Sequence, residues 1–80
     1  MSKRKLNLAQ ERIEVPITGK VISVNIKAGD SVKEGDTLCI LESMKMENPV
    51  MTPVSGTVTE VGVAEGQVVK TGDLIATIEY

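Results

Sequence analysis

Apolar residues in this chain occur in short runs and alternations that glycine, aspartate and asparagine interrupt. Between Gly19 and Ile26 the side chains alternate, with one face formed by Val21, Ser23 and Asn25 and the other by Ile22, Val24 and Ile26. A period of two is typical of a β-strand, and the Gly-Asp pairs within residues 27 to 30 and 34 to 36 favour turns. The pattern therefore predicts a strand, a turn, a short strand, a second turn and a strand over Thr37 to Glu42.

The same pattern occurs twice along the chain. With an offset of 37 residues, positions 16 to 42 align with positions 53 to 79, and ten of the 27 aligned pairs are identical. The identical pairs are Pro16/Pro53, Gly19/Gly56, Val21/Val58, Val24/Val61, Gly29/Gly66, Val32/Val69, Lys33/Lys70, Gly35/Gly72, Asp36/Asp73 and Glu42/Glu79. Two units of this size can bury their apolar faces only against one another. We therefore predict an all-β fold, a flattened barrel-sandwich of two four-stranded antiparallel sheets with pseudo-two-fold symmetry.

Residues 43 to 52 lie between the two copies, and the same offset relates them to residues 6 to 15, ahead of the first copy. A two-fold axis therefore predicts this segment at one pole and both chain ends near the other. The strand that ends the first copy must join a following strand around Met46 to Thr52 within a few residues. We therefore predict a tight hairpin turn with Met44 and Lys45 at or near its tip.

The composition narrows the chemistry that the chain can perform. Eighty residues make one domain with one thin core, and because Phe and Trp are absent, Val, Ile, Leu and Met must form that core. Val, Ile and Thr supply 25 of the 80 residues, which again favours strands. No histidine is present, so the commonest metal ligand and general base near neutral pH is missing and an enzymatic function is disfavoured. The single cysteine, Cys39, lies between two apolar neighbours, which predicts a buried, reduced thiol.

The charges are unevenly distributed along the chain. Residues 1 to 12 contain four basic residues and one acid, whereas residues 13 to 80 contain five lysines and ten acids, a net charge of -5. We predict a flexible N-terminal arm or linker stub over 1 to 12 and one domain over 13 to 80. An acidic domain without an aromatic stacking platform is a poor nucleic-acid binder. No apolar run has the length of a membrane span or follows the pattern of a signal peptide, so we expect a cytoplasmic protein.

Residues 42 to 47 have the sequence Glu-Ser-Met-Lys-Met-Glu, with methionines where polar turn residues are expected. A lysine on a turn is ordinarily a solvated surface residue. Here, however, the flanking methionines offer a soft surface to a partner, and an unmatched piece of a duplicated fold is where a function is added. The segment resembles the attachment motif of the biotinyl domain of the biotin carboxyl carrier family, in which the lysine between two methionines is biotinylated. The resemblance extends over about residues 13 to 80.

This resemblance implies that Lys45 carries covalent biotin through an amide, made from an activated biotinyl adenylate by a biotin protein ligase, and that Met44 and Met46 help the ligase to select it. It also implies a carrier function without catalysis by the domain itself. In such families the biotin is carboxylated at a biotin carboxylase site and delivers the carboxyl group to a carboxyltransferase. These sites belong to a biotin-dependent carboxylase, transcarboxylase or decarboxylase, including the acetyl-CoA and propionyl-CoA carboxylases of fatty acid metabolism.

The chain departs from the family pattern at Ser43, where alanine is more frequent. Both residues are small, so we expect modification to survive. The two copies align without a gap over residues 19 to 42 and 56 to 79, which leaves no room for the thumb-like insertion of some bacterial acetyl-CoA carboxylase carriers. This favours the thumbless carriers.

Three alternatives remain open from the sequence. A lipoyl carrier domain has a similar fold and also modifies a hairpin lysine, but it typically flanks that lysine with Asp and Ala. An unmodified barrel-sandwich that serves as an interaction module would require no particular residue at position 45. An enzyme in its own right is the least supported, because no paired carboxylates on a shared face and no phosphate-binding loop accompany the lack of histidine.

Overall fold

The computed structural model describes residues 9 to 80, which form eight β-strands and no helix. In chain order the strands are β1 (Gln10–Glu14), β2 (Gly19–Val24), β3 (Ser31–Val32), β4 (Thr37–Ser43), β5 (Met46–Met51), β6 (Gly56–Val61), β7 (Val68–Val69) and β8 (Leu74–Glu79). Turns at equivalent points of the two copies separate them. In the first copy the Asp36 carboxylate accepts a hydrogen bond from the Lys33 N–H at 2.8 Å, and in the second Asp73 accepts one from Lys70 at 2.9 Å.

The strands form two antiparallel sheets of four strands each. The hairpin sheet has the order β5-β4-β2-β7, and the terminal sheet has the order β1-β8-β6-β3. The offset of 37 residues converts each strand of the hairpin sheet into the strand at the same place in the terminal sheet. The predicted fold, two four-stranded sheets related by a pseudo-two-fold axis, is therefore confirmed.

The inward faces of the two sheets enclose a core that contains no aromatic side chain. Its buried members are Ile13, Val15, Val21, Val32, Leu38, Cys39, Leu41, Val50, Val58, Val63, Val69, Ile75, Ala76 and Ile78. Both copies of the repeat and the strands that precede them contribute to it. Burial of this apolar surface is the main term that holds the two sheets together.

A β-bulge in β2 changes the alternation that the sequence pattern predicts. The pairing of β2 with β4 shifts at Ile22, and the pairing of β6 with β8 shifts at the equivalent position. Val21 is fully buried, and Val24 and Ile26 pack against the same core, whereas Ile22 is half-buried outside it. The prediction that Ile22 shares a face with Val24 and Ile26 is therefore wrong, because the extra residue of the bulge switches the alternation.

Cys39, in β4, is fully buried, as the sequence predicts. Burial raises the pKa of its thiol, because the apolar surroundings disfavour the thiolate. We therefore expect native protein at about pH 8 to react very slowly with iodoacetamide and urea-unfolded protein to react to completion. Intact mass measured over time distinguishes the two states. Equal labelling rates in native buffer and in urea would contradict the burial of this side chain.

The N-terminal and C-terminal parts of residues 9 to 80 meet at one pole of the sandwich. The Ala9 N–H donates to the Tyr80 carbonyl, and the Tyr80 N–H donates to the Ala9 carbonyl, both at 2.8 Å. By the repeat offset, this pair is equivalent to the residues that flank the β4–β5 turn. From Ala9, β1 leads away towards Gly19, which lies against Glu42 near the far end of β4. The β4–β5 turn therefore lies at the opposite pole.

β1 begins before the predicted start of the domain at residue 13. Gln10 pairs with Glu79 of β8, and this pairing extends the terminal sheet to the pole where the chain ends meet. Residues 1 to 8, the remainder of the predicted arm, lie outside the residues that the structure describes.

Candidate functional site

The hairpin between β4 and β5 turns through two residues, Met44 and Lys45. Their φ angles are 54° and 66°, and they are the only non-glycine residues of the described chain with positive φ. Ser43 and Met46 pair directly beneath them. Positive φ at both central positions is typical of a type I′ turn, which favours Asn and Gly because other residues adopt it at a cost of about 1–3 kcal/mol each. The turn therefore has Met44 and Lys45 at two positions where Asn or Gly would cost less backbone strain.

All three central side chains of the motif are exposed. Met44 is 91% exposed and Met46 is 66% exposed, so neither methionine packs down onto the sheet. Lys45 between them is also exposed. The tip therefore presents a primary amine with a flexible apolar contact surface on each side.

The lysine at the tip is not held by a carboxylate. Glu42 and Glu47 pair across the strands just beneath the turn. Within residues 9 to 80, however, the only ion pair joins Arg12 and Glu14, at 2.9 Å in the terminal sheet. Acylation of Lys45 would therefore break no ion pair of the folded domain.

Two further residues hold the base of the hairpin, and sequence analysis assigned neither of them to the site. The Asn48 side-chain amide donates to the Met46 carbonyl at 3.1 Å and approaches the Leu41 carbonyl at 3.5 Å. A Cβ atom added to Gly19 would overlap the carbonyl oxygen of Glu42, so glycine allows β2 to lie close against the end of β4. The repeat revealed Gly19 as a matched glycine, but a close approach between strands leaves no signal in a single sequence.

Within residues 9 to 80, no other group of side chains is as clear a candidate for holding a prosthetic group or a metal ion as the hairpin tip. No group of three or more His, Cys, Asp or Glu side chains in residues 9 to 80 could hold a metal ion. The same part of the chain has no helix of the length and apolarity that a membrane crossing requires.

The family model described as "Biotin-requiring enzyme" matches residues 11 to 78. Among curated proteins, the chain is 54% identical over 39 residues to the glutaconyl-CoA decarboxylase subunit gamma of Acidaminococcus fermentans, a match that covers 49% of this chain and 27% of that subunit. It is 52% identical over 41 residues to the biotinylated protein TB7.3 homolog of Mycolicibacterium smegmatis, covering 51% of this chain and 58% of that protein. These matches span less than two thirds of either relative.

Solved structures contain the same fold within much longer chains. The urea carboxylase of Kluyveromyces lactis matches 88% of this chain and 6% of its own, with a TM-score of 0.80 and 34% identity. A single-chain, multi-domain long-chain acyl-CoA carboxylase matches 85% of this chain and 7% of its own, with a TM-score of 0.80 and 31% identity. With the family match over most of the chain, these likenesses show that the protein belongs to the biotin-requiring enzyme family, as a biotinyl domain of the biotin carboxyl carrier type.

Proposed function

We propose that this domain carries covalent biotin on Lys45, and that Met44 and Met46 are the contacts by which a biotin protein ligase selects that lysine. The observation that carries this proposal is the tip of the hairpin, where Lys45 occupies a solvated position of positive φ that no packing requirement explains. The residues present also fit the group. An amide at Nζ removes a charge that no ion pair uses within residues 9 to 80, and the exposed tip leaves the attached group accessible to other proteins.

The attachment step uses the amine of Lys45 as the nucleophile. After loss of a proton, Nζ attacks the carbonyl carbon of the biotinyl adenylate, so that a C–N bond forms, the C–O bond to the phosphate breaks and AMP leaves. The domain contributes the position of the amine, because the paired strands beneath the turn fix the backbone on both sides of it. The product lacks one positive charge, which takes residues 13 to 80 from a net charge of -5 to -6.

We further propose that the domain is the mobile carrier between a biotin carboxylase site and a carboxyltransferase site, and that its hairpin presents the group held by Lys45 to each site in turn. The relatives named as decarboxylases and carboxylases support this role. Biotin supplies the carboxyl-carrying chemistry when bound, and the domain supplies a tether that raises its local concentration at each site. The absence of histidine from the sequence supports a domain without catalysis of its own.

Incubation of the protein with biotin, ATP, Mg²⁺ and a biotin protein ligase tests the attachment. We expect one biotinyl adduct by intact mass, and peptide mapping should place it on Lys45. The matched control omits ATP, without which no adenylate forms and no adduct should appear. An unchanged mass in the complete reaction, or an adduct on a different lysine, would contradict the proposal. A lipoyl adduct on protein isolated from cells that make both groups would favour the lipoyl alternative.

A further inference from the structure

The internal two-fold symmetry allows the outward face of one sheet to be compared with that of the other. Five outward positions of the hairpin sheet are apolar, and we call them the apolar face: Ile22, Ile40, Pro49, Met51 and Val68. The offset of 37 residues places polar residues at the same positions of the terminal sheet: Thr59, Thr77, Arg12, Glu14 and Ser31. The same fold is therefore built with a polar outer surface in one half and an apolar one in the other, so stability of the fold does not require the apolar side chains.

The residues of the apolar face point away from the core. Ile40 lies between Cys39 and Leu41, which are both fully buried, so the alternation of β4 directs its side chain outward. Met51 is 54% exposed and Val68 is 72% exposed. None of the five residues of the apolar face belongs to the core cluster.

Pairing across the strands gathers these residues into one surface. Ile40 lies directly opposite Pro49, and the bulged Ile22 adjoins Ile40 on the other side. In the terminal sheet, the Thr59 hydroxyl donates to the Thr77 carbonyl at 3.3 Å, which shows that these equivalent positions are neighbours. One pair of equivalent positions is reversed, because Thr37 of the hairpin sheet is polar and its counterpart in the terminal sheet, Leu74, is apolar. Leu74, however, lies at a strand end beside Gly62.

Acidic side chains border the apolar face on the side nearest the hairpin. Ile22 lines a groove of about 350 Å³ together with Glu42, Glu65, Lys20, Val21 and Gly66. Glu47 lies opposite Glu42 on β5. The groove is lined by two carboxylates and one ammonium, that of Lys20, so its lining is apolar with a net negative charge. Such a lining suits a partner side chain with an apolar stem and a cationic head, which is the chemistry of arginine or lysine.

We propose that the apolar face is the surface on which the enzyme that acylates Lys45 docks, an inference that rests on Lys45 being the attachment site. Ile40 and Pro49 lie three residues along the strands from the pair that flanks the turn, which is about 10 Å. A standard interface buries about 800 Å² on each partner, a patch of roughly 16 Å radius. An enzyme centred on the hairpin therefore reaches this face.

The acylating enzyme fits this surface better than the enzymes that act on the attached biotin. Its active site must reach Nζ of Lys45 itself, at the end of a four-carbon stem, and so its surface must contact the flanks of the hairpin. Enzymes that act on biotin meet a group at the end of a much longer arm. The acylating enzyme also binds ATP and an acyl adenylate, so cationic side chains line its active site, and the carboxylates of Glu42, Glu47 and Glu65 complement them.

The experiment transfers the polar side chains of the terminal sheet to the hairpin sheet. The double variant Ile40→Thr/Met51→Glu should lower kcat/KM for biotinylation by a biotin protein ligase about tenfold, through a higher KM for the carrier and with kcat nearly unchanged. The single variant Val68→Ser should lower kcat/KM about threefold. Because Val68 is exposed, this second variant keeps the test valid if the double variant unfolds.

The matched control makes the reverse exchange, Thr77→Ile/Glu14→Met, on the terminal sheet, and it should keep the wild-type kcat/KM. Circular dichroism at the assay temperature checks that each variant is folded. Folded hairpin-sheet variants with the wild-type kcat/KM would overturn the docking proposal but leave the attachment at Lys45 intact, whereas wild type that is not modified at Lys45 would overturn the attachment itself. Sedimentation of wild type as a dimer that Ile40→Thr/Met51→Glu dissociates would assign the face to a second copy of this chain instead.

Discussion

Lys45→Arg is expected to abolish biotinylation completely while leaving the fold unchanged. Arginine keeps the positive charge and the length of the side chain, but its guanidinium stays protonated in proteins and offers no free amine to the biotinyl adenylate. The side chain at this position is exposed and makes no ion pair with the part of the chain that the structure describes, so its replacement removes no ion pair there. Intact mass after exhaustive reaction with the ligase should therefore equal that of the unmodified variant.

The matched control for this variant is Lys33→Arg, which makes the same exchange on an exposed turn of the first copy. It should be biotinylated as fast and as completely as wild type. Thermal unfolding of both variants should agree with wild type to within about 4 °C, since surface substitutions rarely change stability by more than about 0.5 kcal/mol. A biotin adduct that persists in Lys45→Arg would assign the attachment to a different lysine.

Much of the fold could be predicted because the chain contains two copies of one unit, which can be compared with each other. The identical pairs at an offset of 37 residues identify the turns at Gly29, Gly35, Gly66 and Gly72, and all four glycines adopt positive φ. Duplication also predicts the pairing of the two sheets, since neither copy could bury its apolar side chains alone. The hairpin follows from the segment that the repeat does not explain. Its tip was predicted at or near Met44 and Lys45, and the structure has a two-residue turn there.

The features that sequence analysis missed are set by contacts between strands. The bulge at Ile22 depends on how β2 aligns with β4, and a local period of two cannot reveal an extra residue in that ladder. Consequently the apolar face could not be distinguished from core before the structure was known. Asn48 likewise acts through the carbonyls of Met46 and Leu41, which come within its reach only when the hairpin closes.

Gly19→Ala and Gly56→Ala should both lower stability, the second at least as much because its Cβ would also meet the buried Cγ2 of Ile78, and only the first should impair modification. The two glycines are equivalent in the repeat, and a Cβ added to either would overlap a carbonyl oxygen, that of Glu42 or that of Glu79. Because backbone atoms meet in both cases, the strands must shift apart, at a cost of roughly 2 kcal/mol. This corresponds to a fall in Tm of about 8 to 16 °C for a domain of this size.

The functional consequences of the two substitutions should differ because the glycines lie at opposite poles. Displacement of Glu42 moves the end of β4 and with it the hairpin that carries Lys45, so Gly19→Ala should lower kcat/KM for biotinylation about tenfold at a temperature where both variants are folded. Displacement of Glu79 moves the strand end that leads to Tyr80, far from the hairpin, and Gly56→Ala should retain the wild-type rate. Equal losses of rate in the two variants would show that modification responds to stability alone. A loss confined to Gly19→Ala would instead show that the close contact between β2 and β4 positions the lysine.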